Sequence, residues 1–370
     1  MVWRSTGMVK AACICTFCVI FVAGLWPFRV PKNDVSWLTH EDGLYFGRHG
    51  SALSVGSFPA RLDKVSGTIE IWLQPSLASG VHTILSFDSS AHRGAPFLLL
   101  QFDNSLIVQQ DNEDTNGNSW TAWSVVNGVL RRGKPVFASI VLGPGHTAVY
   151  IDGVLYRDFS IGDSWNNLTG RLVVANSAHS NDSWSGKIKA IALYNRELSQ
   201  SEVLEHYESS TKANGPDLAL DQAPIALYRF NEHAGDTVHN QFDRGTDLKI
   251  PRSYFVLHAP LLELPWRTYH SSWSYWKDVA LNIVGFIPLG FFVTAYYSSL
   301  RKLKGAAAIA VGLGFLTSLL IETLQAFLPT RDSGLNDVIT NTLGSALGAM
   351  LYSVICRVAW CTTQSDGLLD

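Results

Sequence analysis

The chain has 370 residues, of which 47% are hydrophobic and 16% are charged, and its formal net charge is −3. An average soluble domain carries about 25% charged residues, so this composition excludes disorder and indicates that part of the chain lies in lipid. The small negative charge gives no basic surface for nucleic acid. All five cysteines lie near the two ends of the chain, at Cys13, Cys15, Cys18, Cys356 and Cys361. They therefore cannot form a disulfide framework for the middle of the protein.

The first predicted element is an apolar segment over residues 11–28, which is long enough to cross a bilayer. Arg4 and Lys10 precede it, as expected for either an uncleaved membrane anchor or a cleaved signal peptide. No small-residue cleavage site follows, and the Trp-Pro-Phe sequence at 26–28 is typical of a helix end at the membrane interface. These observations favour an uncleaved transmembrane helix.

Residues 40–210 change to short runs of β-branched and aromatic residues, which are separated by Gly, Asn, Asp and Pro. Asp152 and Gly153 lie between two such runs and predict a tight β-hairpin. Many short strands at this spacing predict an all-β sandwich or jelly roll. Residues 223–258 contain a further strand-like run but are too short to enclose a core of their own. We therefore expect them to add a permuted strand to the same sandwich rather than to form a truncated second domain.

Residues 184–199 contain, in order, Trp-Ser-Gly, an alternating strand, a Tyr-Asn-Arg turn and Leu-Ser before a short predicted helix. This order resembles the end of the laminin-G-like, or concanavalin-A-like, jelly rolls. The resemblance implies a sandwich fold and carries less information about function, because relatives include glycan binders, calcium-dependent adhesion modules and enzymes. We expect the sandwich to bind a surface glycan or protein.

Candidate ligand residues in the sandwich are few. Asp111, Glu113 and Asp114 lie in an oxygen-rich run, but this run lacks the spacing of a known calcium loop, so we interpret it as a solvated loop with calcium as the alternative. No other metal or cofactor is predicted. Trp120 and Trp123 are interpreted as core or rim aromatics, with sugar stacking as the alternative. The paired carboxylates of glucanases with this fold are absent, which argues against glycoside hydrolysis.

Three further apolar runs, each long enough to span a bilayer, follow at residues 279–300, 305–328 and 338–356. Residues 265–277, just before them, are rich in Trp and Tyr, which is typical of the headgroup layer. Basic residues occur near the N-terminus, in the loop between the second and third spans and after the fourth, at Arg4, Lys10, Arg301, Lys302, Lys304 and Arg357. Because such residues favour the cytoplasmic side, we predict a multi-pass protein of the bacterial cytoplasmic (inner) membrane. Both termini would be cytoplasmic and the β-domain extracytoplasmic.

Polar residues within these spans are costly in lipid and need a reason. They form three pairs that each share one helix face: Asp278 with Asn282, Glu322 with Gln325, and Asp337 with Asn341. Glu322 lies roughly 27 Å beyond Lys304 along a helix, near the outer edge of the hydrocarbon. One interpretation is structural, with hydrogen bonds between helices and a Glu322–Arg331 ion pair. The interpretation that we favour is an outward-facing pocket, including Arg331, for a lipid or lipid-linked headgroup.

The same residues resemble the VanZ-like family. The resemblance lies in Asn-Ile-Val-Gly-Phe-Ile-Pro-Leu-Gly at 282–290, in the Glu322, Gln325 and Arg331 spacing, and in Asp337 followed by Asn341. It implies a four-helix membrane bundle, and the namesake of the family is linked to low-level teicoplanin resistance. This chain departs from the family in the large domain between its first and second helices, so that role does not simply transfer.

The sequence therefore predicts an extracytoplasmic jelly-roll sandwich on a four-helix transmembrane bundle, acting as a cell-envelope binding protein. One alternative is an intramembrane enzyme, in which Glu322 or Asp337 is the general acid or base and Arg331 clamps phosphate. Another is an adhesion module on a simple anchor. Binding is preferred over catalysis, and the oligomeric state is left open.

Overall fold

The computed structural model describes residues 6–58, 66–89, 96–113, 119–160, 168–212, 224–242, 246–265, 273–300 and 305–366. The chain divides into two units. One contains residues 31–258, and the other combines residues 1–30 with residues 259–370.

Residues 31–258 form a sandwich of two antiparallel sheets. Its strands are β1 (Val35–Trp37), β2 (Leu44–Phe46), β3 (Ala52–Ser54), β4 (Gly67–Pro75), β5 (Val81–Asp88), β6 (Phe97–Phe102), β7 (Ser105–Glu113), β8 (Ser119–Val126), β9 (Val136–Gly143), β10 (His146–Ile151), β11 (Val154–Ser160), β12 (Arg171–Val174), β13 (Gly186–Tyr194), β14 (Ala226–Tyr228), β15 (Thr237–Val238) and β16 (Leu248–Lys249). The first sheet has the order β1-β2-β13-β4-β9-β10-β11, and β14 also pairs with β13. The second has the order β15-β16-β3-β12-β5-β6-β7-β8.

The central strands of the first sheet are buried on both faces, which explains why β9 is mostly apolar and is buried throughout. On the inner face, Ile69 and Ile71 of β4 belong to the main core between the sheets. On the outer face, Phe137 and Tyr194 pack with Val203 of helix α2 (Gln200–Lys212). The sandwich is therefore covered by a helix on one side.

Helix α2 begins with reciprocal hydrogen bonds between its N-cap and its first turn. The Glu202 backbone N–H donates to Ser199 Oγ at 3.3 Å, and the Ser199 backbone N–H donates to Glu202 Oε2 at 2.6 Å. This capping box satisfies two backbone donors that a helix start otherwise leaves unpaired. Arg196 also pairs with Glu202 at 2.8 Å, and this hydrogen bond lowers the pKa of Glu202 to about 2.

The segment after α2 contributes β14 to the first sheet and both β15 and β16 to the second. Strand β14 pairs with β13, and β16 pairs with β3. Tyr228 and Phe230 are fully buried in the main core. This segment therefore belongs to the sandwich and supplies part of its core.

The other unit is helical, and it contains α1 (Thr6–Leu25), α3 (Trp273–Ser299), α4 (Ala306–Gln325) and α5 (Leu335–Asp366). Each of the four is long and apolar enough to cross a membrane. The predicted fold class, an all-β sandwich combined with an α-helical bundle, is confirmed.

The helix bounds differ from the apolar runs because backbone geometry, not hydropathy, ends a helix. Helix α1 ends at Leu25, before the Trp26-Pro27 dipeptide, since proline restricts the residue that precedes it. Helix α3 begins at Trp273 and so includes part of the aromatic segment, of which residues 266–272 lie outside the described residues.

Helices α3 and α5 pack with their backbones in contact. A Cβ atom on Gly344 would collide with the Ile283 carbonyl oxygen, and one on Gly348 would collide with the Ile287 carbonyl oxygen. Small residues one turn apart allow this approach. The close packing fixes the register of α5 and therefore the level of its polar residues.

Candidate functional sites in the bundle and the sandwich

Antiparallel packing of α4 and α5 places their polar residues opposite one another. The Asn341 amide donates to Ser318 Oγ at 2.9 Å. One turn from this contact, at the end of the bundle where α4 ends and α5 begins, Glu322 and Asp337 are electrostatic neighbours. From α3, Asn282 hydrogen bonds to the Asp337 carboxylate. We call Asn282, Glu322, Gln325, Asp337 and Asn341 the polar cluster.

Glu322 is 2% exposed and is bound by the loop between α4 and α5. The Gly334 backbone N–H donates to its Oε2 atom at 2.9 Å. Arg331 is an electrostatic neighbour of Glu322, but the salt bridge that the structural interpretation proposed between them does not form among the described residues.

Arg331 instead binds the C-terminal end of α1. Its Nε and Nη2 atoms donate to the Trp26 carbonyl oxygen at 3.1 and 2.6 Å, and Nη2 lies 3.4 Å from the Ala23 carbonyl oxygen. The last carbonyls of a helix have no partner within the helix, and a cation is favourable at that end. The guanidinium that was expected to clamp phosphate therefore caps a helix.

Gln325 contacts the same helix end, since its Nε2 atom donates to the Gly24 carbonyl oxygen at 2.7 Å. Its Oε1 atom is buried and has no hydrogen-bond partner among the described residues, and the same is true of Asn341 Oδ1. Two acceptor oxygens of the polar cluster thus lack donors.

Asp278 lies outside this buried set. It is exposed at the start of α3, and it is an electrostatic neighbour of Asp337 together with Asp332. The structure therefore brings five of the seven predicted residues together, places Asp278 at their edge, and directs Arg331 towards α1.

In the sandwich, the calcium candidates gain no support. Asp111 Oδ1 accepts a hydrogen bond from Thr121 Oγ1 at 2.8 Å. Asp114 and the side chain of Glu113 lie outside the described residues. Within the described part of the chain, no three His, Cys, Asp or Glu side chains are placed to hold a metal ion.

Trp123 lies on the open face of the second sheet. It is 56% exposed on the edge strand β8, and Trp120 on the same strand is also exposed, so of the predicted core or rim positions both lie at the rim and not in the core. In the register of β7 and β8, Trp123 is opposite Gln109. Since Val108, the neighbour of Gln109, belongs to the main core, Trp123 and Gln109 share the face that points away from it.

This face combines apolar and polar groups. On the neighbouring strand β6, Leu98 lies opposite Gln109. Two residues further along β7, Asp111 lies opposite Thr121 of β8. We call Leu98, Gln109, Asp111, Thr121 and Trp123 the Trp123 face.

Two family models match the chain. Residues 47–204 match the concanavalin A-like lectin/glucanases superfamily, and residues 227–357 match the VanZ/LLP1 family. This protein joins a concanavalin A-like sandwich to a VanZ-like domain. Both resemblances predicted from the sequence are confirmed, although the VanZ match begins within the sandwich and does not include α1. No curated protein matches the chain.

Solved structures with similarity to the chain match it at low identity. A SAP-like pentraxin from Limulus polyphemus is 14% identical over 60% of this chain and 95% of its own, with a TM-score of 0.38. A putative carbohydrate binding protein from Bacteroides ovatus is 12% identical over 60% of this chain and 61% of its own, with a TM-score of 0.40. The receptor binding domain of botulinum neurotoxin D is 15% identical over 49% of this chain and 47% of its own, with a TM-score of 0.38.

Sequence reasoning missed one contact of the VanZ-like domain. The Glu263 backbone N–H donates to the Ser333 carbonyl oxygen, and the Leu335 backbone N–H donates to the Glu263 carbonyl oxygen, both at 2.9 Å. These bonds hold the loop that contains Gly334, the donor to Glu322. The Leu262 backbone N–H also donates to Ser333 Oγ at 3.1 Å, but most of the contact is made by backbone groups, which a side-chain pattern does not indicate.

A second missed feature is a buried acid between α2 and the first sheet. The Glu70 carboxylate contacts His206 Nδ1 at 2.8 Å, Ser139 Oγ at 3.1 Å and the Tyr194 hydroxyl at 3.3 Å. Burial and then the charge of Glu70 raise the pKa of Tyr194 well above its ordinary range. Glu70 and His206 are almost fully buried, so this network joins the helix to the sheet and is closed to a ligand.

Proposed function

We propose that this protein is a multi-pass membrane protein of the bacterial cell envelope whose sandwich binds a surface glycan on the extracytoplasmic side. The observation that carries the proposal is the Trp123 face, where an exposed indole lies beside an amide and a carboxylate on an open sheet. The basic residues of the cytoplasmic loop and termini support the orientation.

The chemistry of the Trp123 face suits a sugar. The C–H face of a pyranose ring can stack on an indole and bury apolar area against it. The hydroxyl groups at the ring edge can donate to and accept from an amide, and can donate to a carboxylate. Gln109 and Asp111 flank the indole in these roles.

The test is binding of the full-length protein, in detergent, to a microarray of bacterial surface polysaccharides. Trp123→Ala should reduce binding at least about tenfold, since an aromatic anchor is worth about 2 kcal/mol or more in a binding site. Phe255→Ala is the matched control, because Phe255 is also an exposed aromatic residue of the sandwich but lies outside this face. Equal binding by the two variants would contradict the proposal.

We also propose that the polar cluster of the VanZ-like domain binds a lipid or lipid-linked headgroup. The supporting observation is the pair of buried, donorless oxygens on Gln325 and Asn341 beside two carboxylates. Binding is preferred over acid–base catalysis by Glu322 or Asp337. A protein of this kind would hold a surface glycan next to the membrane. Any role in glycopeptide or envelope resistance would act through that binding.

A further inference from the structure

The charges at the polar cluster are mainly negative. The charged neighbours of Asp337 are Asp278 and Asp332, and Asp337 is in turn a neighbour of Glu322. Arg331 is a positive neighbour of Glu322, but its guanidinium donates to carbonyl oxygens of α1. A phosphate brought to this cluster would therefore meet carboxylates.

The unpaired buried atoms of the cluster are acceptors. Gln325 is 7% exposed and Asn341 is 5% exposed, while their Oε1 and Oδ1 atoms lack donors among the described residues. Buried polar groups normally have partners, so each exception needs an explanation. Asn341 shares a helix face with Asp337, and Gln325 shares one with Glu322. The donorless oxygens and the carboxylates thus lie on the same two helix faces.

The end of the bundle that carries the cluster has the aromatic residues of a headgroup layer. Trp26 and Phe28 are exposed just after α1, and Trp273 and Trp276 are exposed in the first turn of α3. Exposed Trp residues at helix ends prefer the membrane interface. Headgroups of the surrounding lipid are therefore the ligands within reach.

We infer that the polar cluster binds the primary ammonium group of a phospholipid headgroup and leaves the phosphate outside. An ammonium group supplies positive charge and three N–H donors and has no acceptor, whereas phosphate supplies negative charge and acceptors. The first matches both the carboxylates and the donorless oxygens. This inference rests on the proposed headgroup site and specifies its ligand.

The experiment compares three lipids that share a phosphate and acyl chains. Full-length protein is placed in nanodiscs of phosphatidylcholine with a fixed fraction of phosphatidylethanolamine or phosphatidylglycerol, and retained lipid is measured by native mass spectrometry. Choline has the charge without N–H donors, and glycerol has neither. We expect preferential retention of phosphatidylethanolamine. Asp337→Asn should reduce this preference about tenfold, the loss expected for one hydrogen bond to a charged group.

Further variants keep the result decisive. Asp278→Asn changes an exposed residue and should also reduce the preference, which covers the case in which Asp337→Asn fails to fold. Thr342→Val is the control, because Thr342 lies on α5 but donates to its own helix at Val338; it should retain the preference. Free ethanolamine in excess should displace little of the retained lipid, and complete displacement would overturn the assignment to a phospholipid.

Three further outcomes would overturn the inference. Equal or greater retention of phosphatidylglycerol would exclude ammonium selection but leave the headgroup site standing. If the preference for phosphatidylethanolamine persists unchanged in both aspartate variants, it is a property of the bulk bilayer and not of the polar cluster. If no lipid is retained above the bulk composition by the wild-type protein, both the inference and the proposed headgroup site fail.

Discussion

Arg331 is expected to hold the end of α1 in the bundle, and Arg331→Ala should release that end. The guanidinium makes two short hydrogen bonds to the Trp26 carbonyl oxygen and one long contact to that of Ala23. The variant leaves these terminal carbonyls without a protein donor. We expect the last turn of α1 to loosen while the rest of the bundle stays folded.

The magnitude follows from the contacts. A hydrogen bond from a charged donor contributes about 1.5–3 kcal/mol, and a cation at a helix C-terminus adds about 0.3–1 kcal/mol. Two donors share one carbonyl oxygen and the site is partly open to solvent, so we count one bond at the low end, for a total of about 2 kcal/mol. Because 1.4 kcal/mol is a factor of ten, this corresponds to roughly 30-fold faster local opening.

The assay is hydrogen exchange of the full-length protein in nanodiscs, read at the Trp26 amide, which donates to the Val22 carbonyl oxygen at 3.1 Å. Arg331→Lys retains the charge without the planar fork and should give an intermediate rate. Arg29→Ala is the control, because it removes an exposed cation next to the same helix end. The reasoning is refuted if exchange is unchanged in Arg331→Ala, or if Arg29→Ala accelerates it equally.

Two further predictions concern topology and pH. Reporters fused at Gly153 and Ser299 should lie on opposite sides of the membrane, the first extracytoplasmic, and finding them on one side would contradict the proposed orientation. Burial, opposed by the Asp88 carboxylate and reinforced by His258, lowers the pKa of His179. Since the unfolded chain then binds this proton more readily, the stability of the sandwich should fall as the pH drops below about 6.5. In His179→Gln, the stability measured by hydrogen exchange of β5 and β12 should depend less on pH. An unchanged pH dependence would show that other groups cause it.

The sandwich was predictable because its signals are local. Asp152 and Gly153 both have positive φ angles, of 51° and 78°, between the paired strands β10 and β11, so the predicted hairpin is confirmed. Alternation of apolar residues likewise depends on neighbours in sequence. The exposure of Trp123 was not predictable, because it depends on β8 being the edge strand of its sheet.

The position of the polar residues along the helices was also predictable from the sequence, because the helical rise per residue gives the depth of each residue in the bundle. Their partners were not accessible. The carbonyl oxygens that Arg331 binds belong to a helix about 300 residues earlier in the chain, and only the packing of α1 against α4 brings them within reach. Depth arithmetic therefore grouped Arg331 with Glu322, whereas their hydrogen bonds separate them.

The polar residues of the VanZ-like domain thus divide by their partners. Arg331 binds helix-end carbonyls, which are structural acceptors, while Asp337 and Asn341 present oxygens that a ligand could use. Gln325 belongs to both groups, since Nε2 holds Gly24 of α1 and Oε1 has no donor among the described residues. An occupant that donates to Oε1 would fix the orientation of this amide and so strengthen its hold on α1. If such an occupant binds, ligand binding and retention of α1 are coupled through the Gln325 side chain, and loss of either should weaken the other.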